Sequence, residues 1–294
     1  MNRRTTALIL LAVAAALFGM TFVAVKDALD AIPPLSFVGW RFLIGAVVLL
    51  ALSFPKGRRV WRDGTIAGGI LFIGYAAQTV GLEQTTATNS GLITGLYVVF
   101  TPLLAAAFAR LRPAASTVFG ASLSVLGLGM LTISDTFTLS TGDLWTLACA
   151  VAFALHIVAL ARMAPRHDVI AFTAVQLLVT AVAALVLSAV FEGAGWPPRS
   201  VWLTLALTAL VVTCGAFLVQ VWAQTIIGPS RTAIVLALEP LFAVATAAVI
   251  LSERLTARGW AGAVFMMVGT YVVLVFAPPE DVDIRTAEAL SEAH

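Results

Sequence analysis

Long apolar runs alternate with short polar connections along this chain, and the pattern continues from end to end. Breaks at charges, prolines and glycines divide it into ten segments, approximately 5–26, 34–54, 65–82, 86–109, 114–134, 142–161, 168–190, 201–226, 229–251 and 257–277. An α-helix needs roughly 20 mostly apolar residues to cross a bilayer, and these segments are of that order. The clearest connections are PKGRRVWRD (55–63) and EGAGWPPRS (192–200). The polar, acidic residues 278–294 read as a cytoplasmic tail. An N-terminal MNRR before an apolar run also opens secretory signals. Here the run from Thr5 to Val25 has full spanning length and similar runs follow it, so it reads as the first span.

Inside the spans, polar and aromatic residues recur at helical spacing. Tyr75, Gln78, Thr79 and Leu82 share one face of the third segment, and Ser90, Thr94, Tyr97 and Thr101 one face of the fourth. Trp145, Cys149, Ala152 and His156 do so in the sixth, Thr173, Gln176 and Thr180 in the seventh, and Thr213, Phe217, Gln220 and Gln224 in the eighth. One such face on each of five helices can converge on a polar cavity. Each residue also has a plainer reading, because Ser, Thr and Gln bond neighbouring helices, at about 0.6 kcal/mol each.

Composition settles the environment. The chain is 61% hydrophobic and 11% charged, against roughly 45–50% and 25% in soluble domains. Its surface must therefore face lipid. Cys149 and Cys214 lie in apolar runs and offer neither a disulfide framework nor metal-ligand spacing. The net charge of +2 says less than its distribution. With a cytoplasmic N-terminus, twelve Lys and Arg fall on that side and four on the other, with Arg41 inside the second span. Both termini are thus expected in the cytoplasm, and KGRRVWR reads as a loop at the lipid headgroups rather than a nucleic-acid site.

A shift of 142 residues superimposes the halves. Gln78 falls on Gln220, Tyr75 on Phe217, Leu96 on Leu238, Arg112 on Arg254, Gly120 on Gly262, Ala121 on Ala263 and Gly127 on Gly269. The dipeptides at 101–102 (TP) and 239–240 (EP) differ from that register by four positions, one helical turn, and WRF (40–42) matches the region of 175–177 with another offset. Five spans per half is an odd number, so the halves enter the membrane from opposite sides. The expected fold is an all-α polytopic membrane protein of ten transmembrane helices in two inverted five-helix repeats, 1–137 and 138–277.

The segment LALEPLFAVATAAVILSERLTARGWAGAVFMMVGTYVVLV (236–275) resembles the second-repeat signature of the drug/metabolite transporter superfamily, in its ten-helix EamA branch. TTATNSGLITGLYVVFTPLL (85–104) resembles the first-repeat counterpart, and WRF its second helix. The resemblance covers about residues 5–277. It implies a secondary transporter of a bacterial cytoplasmic (inner) membrane that exports small metabolites by alternating access around a central cavity. Within the family the chain is most similar to amino-acid exporters, aromatic ones included. Its partners are then a small-molecule substrate and the bilayer, with no cofactor, no nucleic acid and no requirement for an oligomer.

The candidate substrate-binding residues are Tyr75, Gln78, Thr79, Thr94, Tyr97, Thr101, His156, Gln176, Phe217 and Gln220. Arg41, Pro102, Glu239 and Pro240 are candidates for gating or structural roles, since intramembrane charge is costly and proline bends helices. Glu239 could carry a coupling proton, bind an amino group, or accept from neighbouring donors. Lys26 and Arg162, at span ends, could snorkel to the headgroups. His156 has no ligand-spaced Cys, His or carboxylate, so no metal role is expected. With Arg41 nearly alone as an intramembrane cation, phosphorylated substrates are disfavoured. A neutral or zwitterionic solute fits better, its side chain packed on Tyr75, Tyr97, Phe217 and either Trp40 or Trp222. Other efflux substrates remain an alternative. A membrane enzyme would need a catalytic constellation, and a channel a filter motif, and neither is visible. The pairs Gly64/Gly68 and Gly91/Gly95 are expected at close helix contacts.

Overall fold

The structure, a computed structural model, describes residues 2–108, 110, 112, 114–132, 140–193, 195–236 and 238–276, and the expected tail at 278–294 lies outside them. Among the described residues every long element is a helix: α1 (Arg3–Ala28), α2 (Pro34–Leu52), α3 (Arg58–Glu83), α4 (Ala87–Thr94), α5 (Tyr97–Phe108), α6 (Ala115–Thr132), α7 (Thr141–Met163), α8 (Val169–Ser188), α9 (Trp202–Leu207), α10 (Phe217–Leu236), α11 (Glu239–Ile250) and α12 (Ala257–Phe276). Wider π-type turns at Ala189–Gly193 and Thr208–Ala216 extend α8 and join α9 to α10. By length and composition, 7 helices of the described residues can cross a membrane, including the composite runs Ala87–Phe108 and Arg199–Ile227. The chain is a polytopic, all-helical membrane protein. Ile73, Val125, Phe191, Val249 and Trp260 are among many large apolar side chains left exposed, as a lipid-facing surface requires.

Sequence and structure differ at three places. α3 begins at Arg58 rather than near 65. The arginines of 58–62 occupy its first turns instead of a loop, after Gly57 reverses the chain at φ 91°, a conformation cheap only for glycine. The segment 86–109 is two helices, α4 and α5, and 229–251 is likewise divided between the end of α10 and α11. Pro240 therefore stands in the first turn of α11, where a missing N–H costs nothing, and not at a bend within a helix. Pro102 does lie inside a helix, α5.

The two breaks have the same hydrogen-bond pattern. Leu96 N–H bonds Ile93 O at 3.1 Å, Val99 N–H bonds Leu96 O at 2.9 Å, and Phe100 N–H bonds Leu96 O at 3.0 Å. In the other half, Leu238 N–H bonds Val235 O at 3.2 Å, Leu241 N–H bonds Leu238 O at 3.1 Å, and Phe242 N–H bonds Leu238 O at 3.2 Å. Each residue is displaced by the same 142 positions.

Small residues let the helices touch. A Cβ on Gly64 would meet Val175 of α8, and one on Gly68 would lie 2.8 Å from Gln176 O. Gly91 abuts Ala243 and Gly95 abuts Pro240, which seats α4 against α11. The contact of α6 with α12 is reciprocal. A Cβ on Gly127 would lie 2.7 Å from Met266 N, and one on Gly269 2.8 Å from Ser124 N; Ser124 Oγ also donates to Met266 O at 3.4 Å.

Several helix ends are closed by charges from distant segments. Glu192 accepts from Leu35 and Ser36 N–H at the start of α2, both at 2.9 Å. Glu253 accepts from Ala87 and Thr88 N–H at the start of α4, at 3.1 and 2.9 Å. Lys26 does not snorkel away: its Nζ donates to Leu82, Glu83 and Thr85 carbonyls at 2.8, 3.0 and 2.9 Å, closing the end of α3. Arg162 lies over Phe108, with Cζ 5.7 Å from the ring centre.

Two outcomes follow. Gly127→Val or Gly269→Val forces α6 from α12 at the ~1–3 kcal/mol typical of overpacking, so detergent-solubilised protein melts several degrees lower. Gly69→Val, which meets nothing within 4 Å, leaves the melting temperature unchanged; equal losses at all three positions would refute the contact's importance. Lys26→Met strips three carbonyls of a charged donor and lowers stability by about 1.5–3 kcal/mol, readable as a lower midpoint in the same melt.

Candidate functional site

A cavity inside the bundle has an empty volume of about 650 Å³ counted out to its mouth. Its wall is built from seven helices. α1 contributes Phe18, Thr21, Phe22 and Val25, and α2 contributes Arg41. α3 presents Leu71, Tyr75, Gln78, Thr79 and Leu82, one stripe at helical spacing. Tyr97 comes from the first turn of α5, and Phe153, His156 and Ile157 from α7. Phe217, Gln220 and Leu236 of α10 and Glu239 of α11 complete it. The α1 and α3 residues all lie in the later halves of those helices. The cavity thus sits toward the end of the bundle where α1 and α3 finish and where Lys26 ties them together.

Of the ten candidate substrate-binding residues, seven line this space: Tyr75, Gln78, Thr79, Tyr97, His156, Phe217 and Gln220. Arg41 and Glu239 line it too. Thr94, Thr101 and Gln176 stand behind the wall. Thr94 accepts a long bond, 3.4 Å, from Gln78 Nε2. Thr101 Oγ1 donates to Tyr97 O at 2.7 Å, one turn back in its own helix. Gln176 Oε1 is 2.8 Å from His156 Nε2, while its Nε2 donates to Phe172 O at 3.3 Å. A carbonyl oxygen at His156 Nε2 requires the proton there and leaves Nδ1 an acceptor. His156 also stacks on Phe217, ring centres 5.6 Å apart. Trp40 packs on Trp196 and Trp202 instead of the cavity, and Trp222 packs against the apolar core.

The repeated glutamines differ in their partners. Gln78 is half-buried with its one long bond. Gln220 is 6% exposed and, among the described residues, has no hydrogen-bond partner for its amide. Gln224, a turn further on, faces α7 and donates to Ile157 O at 3.3 Å.

Both intramembrane charges are held by hydroxyls. Arg41 Nε donates to Thr213 Oγ1 at 2.6 Å, and its Cζ lies 5.4 Å from the Tyr75 ring centre, within cation–π range. Tyr97 OH lies 2.9 Å from Glu239 Oε2 and 3.0 Å from Leu236 O, the last carbonyl before the second helix break. Tyr97 and Glu239, 142 residues apart, are the first residues of α5 and α11, and they meet here. An aromatic row connects the two charges: Tyr75 packs edge-on to Phe153 at 5.1 Å, and Phe153 to Tyr97 at 6.4 Å.

The α1 wall was not read from sequence. Its aromatic residues, Phe18 and Phe22, carry no polar atom, and only Thr21 interrupts an otherwise apolar face. The i, i+3, i+4, i+7 spacing of Phe18, Thr21, Phe22 and Val25 was the available signal. Phe153 was masked in the same way.

The sequence profile of the EamA-like transporter family matches twice, over residues 5–133 and 140–275. An uncharacterized transporter of Archaeoglobus fulgidus is 33% identical over 269 residues, 90% of this chain and 84% of that one. A probable amino-acid metabolite efflux pump of Salmonella typhimurium is 27% identical, covering 92% of this chain and 95% of its own. An uncharacterized transporter of Bacillus subtilis is 25% identical, covering 87% and 92%. A solved crystal structure shares the fold, with a TM-score of 0.69 over 93% of this chain and 98% of the other at 21% identity. Twice matched by the family's profile and packed around a buried cavity, the chain belongs to the EamA-like transporters of the drug/metabolite transporter superfamily.

Proposed function

We propose that this protein is a secondary transporter exporting neutral or zwitterionic amino acids, aromatic ones included, by alternating access. The observation that carries the reading is the cavity itself: amides, hydroxyls and one member of each charge, set among Tyr75, Phe153 and Phe217. Its similarity to a probable amino-acid metabolite efflux pump supports the substrate class. In this reading the chain holds ten spans in two inverted repeats, 1–137 and 138–277. The matched helix breaks and the reciprocal α6–α12 contact support that division. Two copies of one unit facing opposite ways supply two equivalent end states, and broken helices near the membrane centre are where such transporters bind.

In the proposed orientation both termini are cytoplasmic, in the cytoplasmic membrane. The Lys and Arg distribution supports it. The cavity then lies nearer the outer face. The substrate-binding roles assigned to Tyr75, Gln78, Thr79, Tyr97, His156, Phe217 and Gln220 are part of this proposal, as are shaping roles for Thr94, Thr101 and Gln176 behind them.

In proteoliposomes, radiolabelled amino acids are expected to move with saturable kinetics. Movement of other metabolites but of no amino acid would refute the substrate class, and unsaturable flux would favour a channel. Gln78→Ala and Gln220→Ala each remove one hydrogen-bonding group, worth about 0.5–1.5 kcal/mol, and are expected to lower transport about two- to tenfold with folded protein retained. Normal transport by both variants would assign the glutamines to packing.

A further inference from the structure

Two opposite charges line one membrane-embedded cavity without meeting each other. Among the described residues the ion pairs are Arg62–Asp63 and His167–Asp63, both outside the cavity. Arg41 uses Nε on Thr213, and its two terminal nitrogens have no hydrogen-bond partner among the described residues. Glu239 takes one hydrogen bond, at Oε2, from a tyrosine whose single proton also serves Leu236 O. Oε1 has no partner among the described residues. Both residues are nearly buried, at 4% and 7% exposure. A charge kept in a membrane interior without an opposite charge is costly and is by default a functional group; a charge that waits for a ligand accounts for both.

Resting on the proposed transport function, we infer that Arg41 and Glu239 are the two poles of a zwitterion site. Arg41 takes the carboxylate of an α-amino acid and Glu239 its ammonium. The guanidinium's terminal nitrogens form the fork that matches a carboxylate. The ammonium brings three donors to a carboxyl that now shares one phenolic proton. Tyr75 and Phe153, between the poles, supply the apolar surface on which the side chain lies. A solute with only one of the charges leaves the opposite pole unpaired and is discriminated against. The membrane thus contains a site neutral overall but polarised along its length.

The test measures binding to the purified full chain in detergent, by calorimetry, with three probes sharing one side chain: phenylalanine, 2-phenylethylamine and 3-phenylpropionate. Phenylalanine is expected to bind wild-type protein tighter than either singly charged analogue. Glu239→Gln is expected to weaken phenylalanine and the amine about thirtyfold or more, the least that losing a partner from a buried charge pair costs, while 3-phenylpropionate is unchanged. Arg41→Gln is expected to do the reverse, weakening phenylalanine and 3-phenylpropionate and sparing the amine. If either variant does not yield monodisperse protein, Glu239→Asp and Arg41→Lys carry the same comparison, since each shifts the charge without removing it and should weaken the same two probes. Equal loss of all three probes, or loss of none, overturns the two-pole site while leaving the transport function standing. Wild-type protein that binds none of the three probes nor any other amino acid overturns the amino-acid substrate class on which the site rests.

Discussion

Hydrocarbon offers no hydrogen bonds, so each backbone N–H and C=O that a helix leaves open must find its partner inside the protein. This fold meets that demand at its two interior helix breaks and at its helix ends. At the breaks, Leu96 and Leu238 shift the chain into shorter-range bonds, and Tyr97 reaches across to the freed carbonyl of Leu236. At the ends, Glu192, Glu253 and Lys26 close helices from which they are far removed in sequence. The contacts of Tyr97, Glu192, Glu253 and Lys26 each join different segments of chain. The same bonds that make the interruptions tolerable therefore also define how the helices are arranged.

The cavity is a consequence of those interruptions. A helix that stops and restarts turns its first residues toward the space beside the break. Tyr97 and Glu239 occupy those positions in the two halves, and both face the cavity. Elsewhere, glycines bring α4 against α11 and α6 against α12 too closely for a side chain. Small-residue contacts of this kind also suit helices that slide or rock, because few interlocking side chains must be released.

The polar stripe of the third segment was legible because α3 is regular: Tyr75, Gln78, Thr79 and Leu82 share a face by spacing alone, and all four line the cavity. The fourth segment is not one regular helix: the break between Thr94 and Tyr97 interrupts the face that spacing predicts for Ser90, Thr94, Tyr97 and Thr101, and of these only Tyr97 lines the cavity. On the seventh segment the face of Thr173, Gln176 and Thr180 packs against neighbouring helices: Thr180 donates to Gly68 O of α3 at 3.1 Å, and Gln176 Oε1 lies 2.8 Å from His156 Nε2 of α7. Periodicity identifies a face and does not say what the face meets. The α1 wall, being apolar, resembles lipid-facing surface, and its helical spacing alone does not tell the two apart.

By itself the sequence determined that the chain lives in a membrane and where most of its long apolar helices lie, the start of α3 and the two helix breaks excepted. These are properties of local composition and spacing, which lipid selects directly. Only the tertiary structure decided that Arg41 and Glu239 share a cavity without pairing, that Gln176 orients His156 instead of facing the open space, and that Lys26 closes α3. Each depends on which helix face meets which neighbour. In a uniformly apolar chain that choice is made by glycine contacts and scattered hydrogen bonds between segments distant in sequence, and a one-dimensional pattern does not contain them.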